Sequence, residues 1–81
     1  MYIVYVLYSE KYDKLYIGYT SNLEARLKSH NELGKKGFTL RYRPWKLLYT
    51  ENFDNKREAM KREKQLKSGQ GRAWIRRHLL S

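Results

Sequence analysis

The chain has 81 residues, enough for one small domain and near the lower limit at which a single core suffices without staples. It has no cysteine, which excludes disulfides and thiolate metal sites, and no apolar run of the roughly 18 residues that a bilayer span needs. Against 8 Asp and Glu stand 18 Lys and Arg, net +10, and 15% of residues are aromatic. A phosphate backbone is the commonest partner of such a surface; lysine serving solubility alone is the competing reading.

Residues 2–8, YIVYVLY, are β-branched and aromatic and read as a strand buried on both faces. The same N-terminus, MYIVYVLYSEKY, has neither a basic start nor a small-residue cleavage site and is not read as a signal peptide. A cytoplasmic location is the expectation that goes with the missing cysteines. Residues 9–14 form a hairpin loop, and residues 15–20 return as a second strand. Alternation places Ile3, Tyr5 and Leu7 on one face of the first strand and Tyr16, Gly18 and Thr20 on one face of the second. If the register joins those faces, two tyrosines meet beside a glycine, which admits close approach. On pattern alone, plain cross-strand aromatic packing is the favoured account of the pair.

Ser21-x-x-Glu24 is a capping box that opens a helix over residues 22–33, stopping at Gly34. Leu23, Arg26, Leu27 and His30 fall on one face of it. A leucine stripe that carries a guanidinium and an imidazole toward a sheet calls for an anionic partner or an open cleft. Residues 34–43, GKKGFTLRYR, interleave basic and aromatic residues without a period. They read as a basic loop that is either a phosphate-contact surface or a solvated connection. Pro44 opens a third strand, WKLLYTE, ending at Glu51. Asn55-x-x-Glu58 caps a further helix to about Ser68, ending before Gly69. Ala59, Met60, Glu63, Leu66 and Lys67 share one of its faces, while Lys56, Arg57, Arg62 and Lys64 point elsewhere. Glu63 is thereby a carboxylate among apolar neighbours, either functional or paired to a base on a neighbouring element. A last helix over residues 72–80 closes the fold with Trp74, Ile75, His78 and Leu79. The order β-β-α-β-α-α gives an α+β fold in one domain, 1–81, with a three-stranded antiparallel sheet flanked by helices.

Tyr5, Tyr16, Arg26, His30 and Glu63 together supply what phosphodiester hydrolysis needs: a cation ligand, a positive charge for the phosphorane, and groups to handle water. One hard cation held by Glu63, waters and substrate phosphate is the economical design. The sequence resembles the GIY-YIG nuclease superfamily, in its small single-domain bacterial branch related to the N-terminal endonuclease domain of the excinuclease UvrC. Tyr16-Ile17-Gly18 matches the second signature and Thr20 follows it; Ile3-Val4-Tyr5 takes the first, keeping its tyrosine but not its glycine. Arg26, His30 and the segment from Ala59 through Glu63 to Lys67 match the motifs that follow, and PWKLLYTE is similar to the third strand.

The resemblance implies a DNA endonuclease or nickase using Mg²⁺ or Mn²⁺, with a role in DNA repair suggested by the excinuclease kinship. Glu63 would ligate the metal, Arg26 would stabilise the phosphorane, and Tyr5 would sit by the attacking water as general base, with Tyr16 and His30 hydrogen-bonding nearby. A phenol with an ordinary pKa of about 10 would need adjacent positive charge to lower it. The base is thus open between Tyr5, His30 and a metal-bound hydroxide. The asparagine that some members carry after the metal-binding helix has no counterpart here. Lys35, Lys36, Arg41, Arg43 and Lys67 are the candidate DNA-backbone contacts, with a homodimer or a protein partner as the route to targeting and no membrane. A non-catalytic nucleic-acid-binding module on the same fold is the second reading.

Overall fold

A computed structural model of the chain describes residues 1–29, 31 and 41–80. Strands β1 (Tyr2–Ser9) and β2 (Lys14–Thr20) are followed by helix α1 (Leu23–Lys28) and strand β3 (Lys46–Phe53). Helices α2 (Lys56–Lys67) and α3 (Gly69–Leu79) complete the described elements. The strands form one antiparallel sheet in the order β2-β1-β3. The α+β arrangement inferred from the sequence is the one observed.

Because β1 is central, its side chains are covered on both sides: Val4, Tyr5, Val6 and Leu7 are all fully buried. Alternation along the strand divides them. Val4 and Val6 join Ile17, Ala59, Leu66 and Ile75 in an aliphatic core beneath α2 and α3. Tyr5 and Leu7 join Trp45 on the opposite face, with Tyr16, Tyr42 and the α1 leucines Leu23 and Leu27 packed around them. Burying a side chain of this size removes about 1.5–3 kcal/mol of unfavourable hydration, so each layer contributes substantially to a domain this small.

The element ends differ from the sequence reading in instructive ways. The cap of α1 is Asn22, not Ser21: Asn22 Oδ1 accepts from Ala25 N at 3.1 Å, and Thr20 Oγ1 accepts from the Asn22 amide at 3.0 Å. Both residues are good caps, and the threonine that ends β2 decides between them by fixing Asn22. The expected stop at Gly34 lies outside the described residues. Strand β3 starts two residues past Pro44 and runs on to Phe53, paired to Tyr2. At α2 the cap is the expected one, Asn55 Oδ1 accepting from Glu58 N at 2.9 Å.

The last helix begins earlier than residue 72, because Ser68 caps it. Ser68 Oγ donates to the Gln65 carbonyl at 2.6 Å and accepts from Gly71 N at 3.1 Å, so one residue ends α2 and starts α3. Gly71 is required at this corner, since a Cβ there would fall 2.2 Å from the Gln65 carbonyl oxygen and 2.5 Å from Leu66 Cα. Among the described residues two ion pairs tie the helices to the sheet and its hairpin. Arg62 Nε on α2 donates to Glu51 on β3 at 2.9 Å, while Tyr49 donates to the same carboxylate at 2.7 Å. Arg76 on α3 reaches Asp13 of the hairpin loop at 2.9 Å, and Tyr8 donates to the same oxygen at 2.8 Å.

Candidate active site

The register of the first hairpin builds the site. Tyr5 pairs with Gly18 and Leu7 with Tyr16, which puts both tyrosines on the α1 face one step apart. Their rings stack at 6.3 Å with 24° between planes. Gly18 is the seat of the Tyr5 phenol: a Cβ there would lie 2.6 Å from Tyr5 Oη, 2.8 Å from its Cζ and 3.3 Å from Tyr16 Cε1. The close approach anticipated for this glycine is therefore made by Tyr5 itself.

Arg26, one turn into α1, reaches over this pair. Its Nε–H donates to Tyr5 Oη at 3.4 Å, a long bond. The polar intruder in the leucine stripe thus has its acceptor, and Arg26 as a whole is exposed. Burial pushes the Tyr5 phenol above its ordinary value; the Arg26 hydrogen bond pulls the other way, and the Tyr16 and Glu63 side chains add to the rise. Burial outweighs the arginine, so lowering this phenol would fall to the further positive charge of a bound cation or of His30. In return, the phenol holds the Arg26 guanidinium above its already high value.

Glu63 comes from the other side of the sheet, on α2 between Ala59 and Leu66, with its side chain 16% exposed. It is near enough for its charge to act on the Tyr5 phenol. Its ion-pair partner is Lys67, one turn on, at 3.6 Å. A pairing to a neighbouring element is thus replaced by a loose i,i+4 pair whose lysine is half exposed. Met60, expected on the same inward face, is 37% exposed. Among the described residues no three His, Asp, Glu or Cys side chains converge. A lone hard carboxylate with a weakly engaged counter-charge fits a single divalent cation that takes its other ligands from water and phosphate.

The remaining candidates divide. His30, Lys35 and Lys36 lie outside the described residues. Arg41 sits over the Tyr42 ring at 5.5 Å, and Arg43 donates to the Ser29 carbonyl at 3.4 Å, tying the chain before β3 to the end of α1. Sequence alone does not single out Asn31 or Trp45. Asn31 Oδ1 accepts from Trp45 N at 2.7 Å and its Nδ2 donates to Trp45 O at 3.1 Å. That double bond fixes the indole that meets Tyr16 edge-on at 6.1 Å. A side chain spanning 14 positions leaves no local signal; a buried tryptophan just ahead of a strand is the only clue.

Residues 1–76 match the GIY-YIG catalytic domain. The chain belongs to the GIY-YIG family. That is a family of nuclease domains, and the two signature tyrosines are the stacked pair on β1 and β2. Among its relatives is a UPF0213 protein of Staphylococcus haemolyticus, 45% identical over 58 residues, 72% of this chain and 71% of that protein. Another, from Clostridium perfringens, is 47% identical over 64 residues, 79% of this chain and 68% of that protein. A third, from Bacillus velezensis, is 46% identical over 55 residues, covering 68% and 56%. Their names state no activity. No solved structure gives a significant match. In this GIY-YIG domain the signature tyrosines and Arg26 lie on the α1 face and the aliphatic core on the other.

Proposed function

We propose that this GIY-YIG domain is a divalent-metal-dependent DNA endonuclease that nicks one strand at a time. The observation that carries the reading is the Arg26–Tyr5 contact at 3.4 Å on the stacked tyrosines, within the field of the half-buried Glu63 carboxylate. A structural core needs none of these polar groups.

Glu63 would hold the cation, Mg²⁺ or Mn²⁺, which would supply Lewis-acid charge to the reacting phosphate. Lys67 gives up its loose pair to Glu63 and turns to a backbone phosphate. Arg26, planar and permanently charged, donates to the non-bridging oxygens as negative charge builds on the phosphorus. Burial raises the Tyr5 phenol, so it would act on water only under the added charge of a bound cation. Its oxygen anchors and orients Arg26. General-base work falls to Tyr5, His30 or a metal-bound hydroxide. One small site cuts one strand, so double-strand breaks need two binding events or a dimer.

The test is cleavage of labelled branched, nicked, duplex and single-stranded DNA with Mg²⁺, Mn²⁺ or EDTA. Activity is expected to vanish in EDTA and in Glu63→Gln, while Glu63→Gln binds DNA at least as tightly as the parent. Salt-sensitive binding with no cleavage on any substrate would favour the non-catalytic module instead. The Glu63–Lys67 pair is the one observation on that side, since it neutralises the carboxylate without a metal.

A further inference from the structure

We infer that the outer face of α2 is a second contact surface for nucleic acid, a track for the phosphodiester backbone leading away from Glu63. Lys56, Arg57, Met60, Lys61 and Lys64 line a shallow groove of about 660 Å³ on this helix. At roughly 100° per residue they occupy about 140° of its circumference, with Glu58 outside that arc. Glu63 borders the arc on one side and its ion-pair partner Lys67 falls just inside that edge, so the track begins at the candidate cleavage site.

Four of the cations in this arc differ from the other two on α2, Arg62 and Lys67. Arg62 is bonded to Glu51 and Lys67 to Glu63, yet among the described residues none of Lys56, Arg57, Lys61 and Lys64 has an acidic partner. Arg57 and Lys61 stand at i,i+4 and Lys61 and Lys64 at i,i+3, spacings at which like charges repel. An isolated helix relieves such repulsion with acids on the same face; here the relief is left to a partner. Met60 lies between Lys56 and Lys64, one turn from each, and its 37% exposure gives the groove an apolar floor against which sugar rings can rest.

The length fits. Lys56 to Lys64 spans about 12 Å of helix axis, and each strand of a duplex carries one phosphate per roughly 3.4 Å, so the face matches about three phosphates. An anionic strand is the occupant because the groove supplies charge along a line that continues from the proposed cleavage site. Base-edge recognition has no donor set here beyond the lysines and Arg57, so the contact is to backbone and not to sequence.

The inference rests on nucleic acid being the substrate, and a binding titration separates the two. Fluorescein-labelled duplex DNA is titrated at salt concentrations from about 50 to 200 mM with three proteins, each checked by circular dichroism. These are the parent, the variant Lys56→Gln/Arg57→Gln/Lys61→Gln/Lys64→Gln, and a control, Lys11→Gln/Lys14→Gln/Lys46→Gln/Arg72→Gln. Glutamine is a good helix former at exposed positions, so folding is retained. At about 0.9 per phosphate, three lost contacts lower the slope of log K against log salt by about 3 in the face variant and leave the control near the parent. Should the quadruple variant fold poorly, Lys61→Gln/Lys64→Gln alone is expected to lower the slope by about 2. An unchanged slope, or an equal drop in the control, overturns the track and leaves the nuclease reading intact. A parent that binds no DNA at the lowest salt overturns both.

Discussion

The two faces of the sheet are built from one strand and made of different chemistry. Val4 and Val6 of β1 enter an aliphatic layer with Ile17, Ala59, Leu66 and Ile75, whose fully buried members carry no polar side-chain atom. Odd-numbered residues enter a layer of tyrosine and tryptophan capped by Arg26, where a phenol is pushed up by burial and a guanidinium is held charged. The first face can be strong because it is featureless, and that strength lets the second keep a polar cluster that would destabilise an ordinary core. Substitutions should therefore sort by face.

The largest effect is expected on the aliphatic side. Leu66→Ala, at a position 1% exposed, should cost about 2–5 kcal/mol in urea unfolding while cleavage per folded molecule persists. A loss below about 1 kcal/mol would mean that this layer is not the mainstay of the fold. On the other face the order reverses. Arg26→Ala should slow cleavage about 10²–10³-fold and change stability by less than about 1 kcal/mol, and Arg26→Lys should not restore the rate, lacking the planar fork. A rate loss that merely tracked unfolding would place Arg26 among the structural residues. Gly18→Ala lies between these extremes, because its Cβ must displace the phenol of Tyr5. About 1–3 kcal/mol of overpacking is expected, together with a rate loss greater than that of Tyr5→Phe.

Ionisation gives the smallest effects. The folded state raises the Tyr5 phenol, so between the unfolded value of about 10 and the folded value the native chain binds more protons. Stability should therefore fall as pH rises past about 10, and Tyr5→Phe should make the fall shallower. Tyr49 and Tyr8, each beside a carboxylate, contribute with the same sign. At the acid end, Asp13 is held below its ordinary value by Arg76 and Tyr8. Its contribution is present above the unfolded value and is lost as pH falls through the folded one. Asp13→Asn should remove only that acid decline, at the limit of detection in thermal melts, since the pair is exposed.

How much of this was written in the sequence depends on the range of the interaction. The buried run of β1 and the meeting of Tyr5, Tyr16 and Gly18 follow from alternation and a tight hairpin, both local. The cap of α1 was legible to within one residue, because the choice between Ser21 and Asn22 falls to Thr20 in the preceding strand. Met60 was misplaced inward since helical period gives a stripe but not its width, and only Ala59 and Leu66 on α2 are fully covered. The rise that burial imposes on the Tyr5 phenol has no sign in the sequence, because the neighbours of a residue can be guessed from spacing, whereas its depth cannot. Asn31 and Trp45, joined through the fold, had no pattern to betray them.

The Ser68 corner has a consequence for how such a chain can vary. With only Ser68 between one helix and the next, α2 and α3 are joined without slack. One residue added or removed between Gln65 and Gly71 would turn α3 by about 100°. Ile75 would leave the layer it completes, and Arg76 would swing away from Asp13. Length changes in this segment should therefore be the rarest in any lineage that keeps the fold, although most of its side chains face water.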